Sequence, residues 1–289
     1  MFSGAFTALV TPFKDDKVDY EKLRELVDWQ IEQGIKGLVP CGTTGESATL
    51  THEEHEGVIR AVLKQTAGRV PVIAGTGSNS TAEAISLTKC AQGLGADAAL
   101  VITPYYNKPS QEGLYRHFTA IAGAVEVPLV LYNVPGRTAV NMLPETIARL
   151  AEHSNIISIK EAGGSLEQAG EIISKTKLAL LSGDDALTLP MMRLGAKGVI
   201  SVSANIVPGD VAAMVRCQVE GKEKEADELA AKLQPLCGAM FLETNPQPVK
   251  VAMKMLGRIN GEMRLPMWGI SEENEAKLRG VLADYGLLR

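Results

Sequence analysis

Lys160 closes the apolar run Ile156-Ile157-Ser158-Ile159, which is bounded by Asn155 on one side and Gly163-Gly164 on the other. Burial at the end of a core strand disfavours the charged ammonium and makes a neutral amine accessible near neutral pH. Such an amine is suited to forming a Schiff base with a carbonyl substrate. The same position also suits a lysine that snorkels to solvent or pairs with the adjacent Glu161.

Three further groups are placed for chemistry. In Cys41-Gly42-Thr43-Thr44-Gly45-Glu46-Ser47 two glycines permit a tight turn with exposed amides, beside two hydroxyls. That set can hold a carboxylate, helped by the N-terminal end of a following helix. The turn lacks the Gly-Lys-Ser/Thr of a phosphate loop, and an ordinary strand-to-helix connection is the plain alternative. In Tyr132-Asn133-Val134-Pro135-Gly136-Arg137-Thr138 a tyrosine can relay protons and an arginine can clamp a carboxylate bidentately. A barrel-filling aromatic and a surface ion pair are the alternatives there. Of Tyr105 and Tyr106, one must point away from the interior. His52 and His55 are spaced i, i+3 with no third ligand nearby, so a metal site is disfavoured. Asp184-Asp185 reads as a magnesium pair or as a helix N-cap with an acidic first turn.

These residues sit at the ends of a repeated pattern. Apolar, β-rich runs occur at 4–12, 37–42, 71–77, 98–104, 128–134, 156–162, 178–185 and 198–205, each followed by a stretch of helical periodicity. In Tyr20–Gln33, for example, Leu23, Leu26, Val27 and Ile31 share a face. Eight strand–helix units predict a parallel sheet, because a helical crossover returns the chain to the same edge. With no Gly-x-Gly-x-x-Gly after the first strand, a closed (β/α)8 TIM barrel is favoured over an open doubly wound sheet. Pro40 inside the second run predicts a strand that ends early or bulges. After residue 220 three helices are expected, roughly 223–240, 248–257 and 271–286, the last capped by Ser271. The division expected is a barrel over 1–221 and a small C-terminal helical domain over 222–289.

The 289 residues carry a net charge of −5 and only 4% aromatics, which disfavours extended nucleic-acid binding. Cysteines 41, 90, 217 and 237 show no Cys-x-x-Cys spacing, the usage of a reducing compartment. No apolar run is long enough for a bilayer and the start lacks a signal-peptide pattern, so a soluble, cytoplasmic protein without a membrane partner is expected.

Taken together, GTTGES at 42–47, PYYNKPSQEGLY at 104–115, YNVPGRT at 132–138 and IKEA at 159–162 resemble the dihydrodipicolinate synthase / N-acetylneuraminate lyase family, and the match extends to NPQPVK at 245–250. The resemblance is nearest to the synthase branch. It implies a lyase that condenses pyruvate with L-aspartate 4-semialdehyde to 4-hydroxy-tetrahydrodipicolinate, in diaminopimelate and lysine biosynthesis. By resemblance Lys160 forms the Schiff base, and Tyr132 moves protons in a relay with Thr43 and with Tyr106 of a neighbouring subunit. Thr44 holds the pyruvate carboxylate, backbone at Gly183 and Ile200 lines the pocket, and Arg137 binds the semialdehyde carboxylate. The resemblance implies no metal and no organic cofactor, a homotetramer built as a dimer of dimers, and feedback inhibition by L-lysine. The lysine site would comprise Ser47, Ala48, His52, His55, Asn79, Glu83 and Tyr105. A sibling N-acetylneuraminate lyase or 2-keto-3-deoxy-sugar-acid aldolase would share Lys160 and Tyr132 but generally lacks an arginine at the position of Arg137. A silent small-molecule sensor on the same barrel would have no use for the lysine. Pro40-Cys41 departs from the small or β-branched residues expected there.

Overall fold

The computed structural model describes residues 2–288. Eight short parallel strands form the central sheet: β1 (Gly4–Ala8), β2 (Gly37–Val39), β3 (Ile73–Gly75), β4 (Ala98–Ile102), β5 (Leu129–Asn133), β6 (Ile156–Glu161), β7 (Ala179–Ser182) and β8 (Gly198–Ser201). Hydrogen bonding runs from β2 through β1 to β8 and then back down in order to β3. The ring closes between β2 and β3 through a Leu38–Val72 bridge, with Leu38 N donating to Pro71 O at 3.0 Å and Gly75 N to Pro40 O at 2.9 Å. The (β/α)8 barrel read from the sequence is the architecture observed. Strand β2 stops at Val39, ahead of Pro40, and Cys41 then takes a left-handed φ of 55°. Of the two outcomes expected from that proline, early termination is the one that occurs.

Four of the crossover helices begin where the sequence supplies side-chain caps. Thr51, Ser80, Ser110 and Ser165 each accept a backbone N–H three residues on, and Thr51 with Glu54 completes a capping box. The alternation of each strand sorts its side chains into two cores. Phe6, Val39, Ile73, Leu100, Val130, Tyr132, Leu181 and Ile200 fill the barrel interior. Leu38, Val101, Leu129, Leu131, Ile159 and Val199 pack outward under the helices.

One irregularity matters for the site. Leu129 of β5 pairs with Ile156 of β6, but Val130 pairs with Ser158, so β6 carries one residue more than its partner. Up to Ile156 the alternation runs one way; after the extra residue it runs the other. Ile159 therefore faces outward beside Leu131, and Lys160 faces inward beside Tyr132.

The tail forms the three expected helices, Glu223–Ala239, Gln247–Met255 and Glu272–Asp284, with Ser271 Oγ accepting from Asn274 N as the cap of the last. It is pinned to the barrel mouth by polar contacts. Lys250, fully buried, pairs with buried Glu46 and donates to Thr11 O at 2.9 Å. The Arg264 guanidinium binds Glu54 through both oxygens and Asp16 through one. This holds the Glu54 carboxyl down at about 2, far below the usual carboxylate range. Asp16 lies in a two-stranded hairpin, Phe13–Lys14 with Lys17–Val18, that the strand pattern does not predict. Among the described residues no helix is long and apolar enough to cross a membrane.

Candidate active site

The strand ends and the tail enclose a cleft of about 530 Å³, lined by Thr43, Glu46, Tyr105, Tyr132, Arg137 and Asn245 among others. It lies at the C-terminal edge of the strands, where barrel enzymes keep their reactive groups.

Lys160 is 6% exposed, and its Nζ lies 4.4 Å from the centroid of the Tyr132 ring, which lines the cleft. The pairing with Glu161 is excluded by strand alternation. Glu161 faces outward, accepting from Asn133 Nδ2 at 3.1 Å, Gly163 N at 2.6 Å and Gln168 Nε2 at 3.3 Å. Burial pushes its carboxyl up from the usual range, with these donors acting in the opposite sense. No ion pair with its neighbour therefore has to break before the lysine attacks a carbonyl. Gly183 lies directly against the lysine stem: a Cβ there would stand 3.0 Å from Lys160 Cε and 2.6 Å from the Ala162 Cβ. Only glycine leaves the stem its room. Ile200 lies in the interior cluster that also contains Tyr132.

The Gly42–Ser47 turn folds back on itself, with Gly45 N and Ser47 N donating to Gly42 O and Glu46 N donating to Thr43 O. Among the described residues the amides of Thr43 and Thr44 are left without a protein acceptor. They are the donors available to a carboxylate. The expected contribution from the end of a following helix is not there. Glu46, at a left-handed φ of 52°, leads into a single 3₁₀ turn, Ser47–Thr49, and the α-helix starts only at His52, already capped by Thr51. Thr44 is buried, and its hydroxyl accepts from Asn245 Nδ2 at 2.9 Å. Arg137 stands exposed at the rim on the one-turn helix Pro135–Thr138, steered by a 3.0 Å bond from Nη2 to Asn245 O.

Tyr105 and Tyr106 diverge as expected. Tyr105 lines the cleft; Tyr106, at φ 72°, is 89% exposed and turned away from it. Behind Thr43 the cleft continues past Ser47, Ala48, His52, His55 and Glu83. Glu83 accepts from Ser78 Oγ and lies 3.0 Å from His52 Nε2, contacts that hold its carboxyl below the usual range. His52 is at the rim, but His55 is not: it is buried, with Nε2 donating to Gly75 O at 2.8 Å, and burial lowers its pKa. Asn79 does not line the cleft, and its carbonyl accepts from Asn107 Nδ2 at 2.8 Å. Among the described residues no cluster of histidine, cysteine and carboxylate side chains is arranged to hold a metal ion. Asp184 caps the turn that follows, accepting from Ala186 N, while half-buried Asp185 accepts from Val202 N and Ser203 N and ties the turn after β7 to the segment that follows β8. Both act as structural acceptors.

The residues that sequence reasoning left without a role are Asn245 and Lys250. A signal for the second was present: Lys250 interrupts the apolar stretch Pro248–Met253.

Fold and cleft together are those of a (β/α)8-barrel lyase. The family model of the dihydrodipicolinate synthetase family matches residues 1–284, and the chain belongs to that family. The 4-hydroxy-tetrahydrodipicolinate synthase of Geotalea uraniireducens is 58% identical over the full length of both chains. The dihydrodipicolinate synthase of Acinetobacter baumannii, solved in complex with pyruvate, superposes with a TM-score of 0.97 at 47% identity, covering 100% of both chains. The enzyme of Cyanidioschyzon merolae, solved with lysine bound, gives 0.96 at 44% identity over 99% of each chain.

Proposed function

We infer that this chain condenses pyruvate with L-aspartate 4-semialdehyde to 4-hydroxy-tetrahydrodipicolinate, the step that commits carbon to diaminopimelate and lysine. The observation that carries the reading is the inward-facing Lys160, set beside Tyr132 with Nζ 4.4 Å from its ring. Lys160 attacks the pyruvate C2 carbonyl and water leaves. The protonated imine acidifies the methyl group, and loss of a proton gives the enamine that attacks the aldehyde. Attack of the substrate amine on the imine carbon then closes the ring and releases the lysine. Tyr132, with Thr43 on the same cleft, moves the protons. Thr44 and the turn amides hold the pyruvate carboxylate against the wall made by Gly183 and Ile200, and rim-exposed Arg137 receives the carboxylate of the semialdehyde.

Tyr106 belongs to this reading through a second copy of the chain. Its 89% exposure, turned from its own cleft, supports a role in completing a neighbour's relay within the dimer of dimers that the reading includes. Residues 1–221 act as the catalytic barrel and 222–289 as the helical domain that braces its mouth. The rear of the cleft, with ionised Glu83 beside Ser47, Ala48, His52 and Tyr105, suits the ammonium and carboxylate of L-lysine as a feedback inhibitor; His55 and Asn79 shape it from behind.

Borohydride reduction in the presence of pyruvate tests the core of the proposal. Mass spectrometry should find one reduced pyruvyl adduct, mapped to Lys160. An adduct on another lysine, or none, refutes the mechanism.

A further inference from the structure

One asparagine of the tail links buried Thr44 in the Gly42–Ser47 turn to Arg137 at the cleft rim. Asn245 is 4% exposed. Its side-chain Nδ2 donates to Thr44 Oγ1 at 2.9 Å, while its main-chain carbonyl accepts from Arg137 Nη2 at 3.0 Å. Its own Oδ1 is buried with no hydrogen-bond partner. A buried acceptor left unpaired costs stability, so an apolar side chain would fill the space at less cost. What the amide supplies, and an apolar group cannot, is a donor. A threonine hydroxyl that accepts from an amide keeps its own proton for a different acceptor.

We propose that Asn245 is a positioning residue for both substrates: its amide fixes the Thr44 hydroxyl so that the hydroxyl proton is directed at the pyruvate carboxylate, and its backbone carbonyl independently fixes Arg137 for the semialdehyde. The proposal rests on the function given above and deepens it. The placement of Asn245 is firm because Lys250, five residues on, is locked to Glu46 and to Thr11 O inside the barrel mouth. Glu46 in turn belongs to the same turn as Thr43 and Thr44, so the tail grips that turn at two points.

The two contacts differ in kind, and that makes them separable. Thr44 is held by the side chain of residue 245, Arg137 by its main chain. Replacing the side chain should therefore disturb pyruvate and spare the semialdehyde. Aspartate at this position would do more than alanine, since it removes the donor, captures the Thr44 proton and sets a negative charge beside the carboxylate subsite.

The test uses Asn245→Ala, Asn245→Asp, Thr44→Val and the Thr44→Val/Asn245→Ala double variant, each checked for folding by its thermal melt. Borohydride trapping is titrated with pyruvate, and steady-state kinetics give both KM values. The half-saturating pyruvate concentration should rise about tenfold in Asn245→Ala and further in Asn245→Asp. The semialdehyde KM should stay within about twofold of wild type, and the double variant should be no weaker than Thr44→Val alone. Additive losses in the double variant, or parallel rises in both KM values, overturn the proposal, because a general loosening of the tail produces those. Should Asn245→Asp not fold, the alanine variant and the double-variant comparison decide between the two outcomes. A wild-type chain that traps no pyruvate on Lys160 refutes the parent function, and is distinguished from failure of Asn245 by appearing without any substitution.

Discussion

Tyr132 and Lys160 are register partners across β5 and β6, and the lysine nitrogen stands 4.4 Å from the tyrosine ring centroid. The ring face and the hydroxyl of one residue are thus available for two tasks, steadying the amine and handling its protons. Tyr132→Phe separates them. The phenylalanine keeps the ring, so pyruvate should still be trapped on Lys160, while turnover falls about 100- to 10,000-fold. Stopped-time borohydride trapping beside a steady-state assay measures both, and unimpaired turnover would remove Tyr132 from the relay.

Arg137 is exposed at the rim and held by a single main-chain carbonyl. A charge-assisted bond from an arginine to a carboxylate contributes about 1.5–3 kcal/mol. Arg137→Ala should therefore lower kcat/KM for the semialdehyde about 10- to 100-fold and leave the pyruvate KM within about twofold. A semialdehyde constant that does not move assigns the carboxylate to another group.

Tyr106 gives a test of the proposed sharing of one site between two chains. Tyr106→Phe and Lys160→Ala chains should each be nearly inactive alone. Unfolding them together and refolding the mixture should produce hybrid dimers with one intact site and measurable activity. A mixture as silent as its parents would confine the relay to a single chain.

Glu83 stays ionised throughout the physiological range, since Ser78 and His52 hold its carboxyl below the usual value. L-lysine titrated into the initial-rate assay should inhibit wild type, and Glu83→Ala should shift the half-inhibitory concentration upward at least about tenfold. Inhibition unchanged in the variant places the ligand elsewhere; none in wild type at millimolar lysine removes the regulatory site.

Much of this was legible in the order of residue types. The alternation of apolar runs with amphipathic segments implies eight parallel units, and a lysine ending one of those runs is conspicuous because its neighbours are Ile, Ser and Ile. Pro40 announces the early end of β2 by its missing donor. What was not legible depends on contacts across more than 200 positions. Nothing local to Glu46 indicates that Lys250 neutralises it, nor does Asn245 declare that Thr44 is its partner. The hairpin at Phe13–Val18 is too short to show a period of two, and the helix after the Gly42–Ser47 turn is delayed by a 3₁₀ turn that composition does not foretell.

The additional residue in β6 makes activity a matter of parity as well as of chemistry. Were β6 to alternate strictly from Ile156, every motif in the chain would still be spelled correctly, yet the inward places would fall to Ile157, Ile159 and Glu161, and Lys160 would point into the helical shell. Ile157 and the bulge therefore count as one unit. Losing both together leaves the lysine aimed inward; losing the bulge while keeping the residue turns it out. Two chains bearing the same reactive residues can thus differ in whether they are enzymes at all, decided beside a half-buried isoleucine with no chemistry of its own. Any exchange of strand segments among such barrels has to carry the irregularity along with the letters, because the two together aim the lysine.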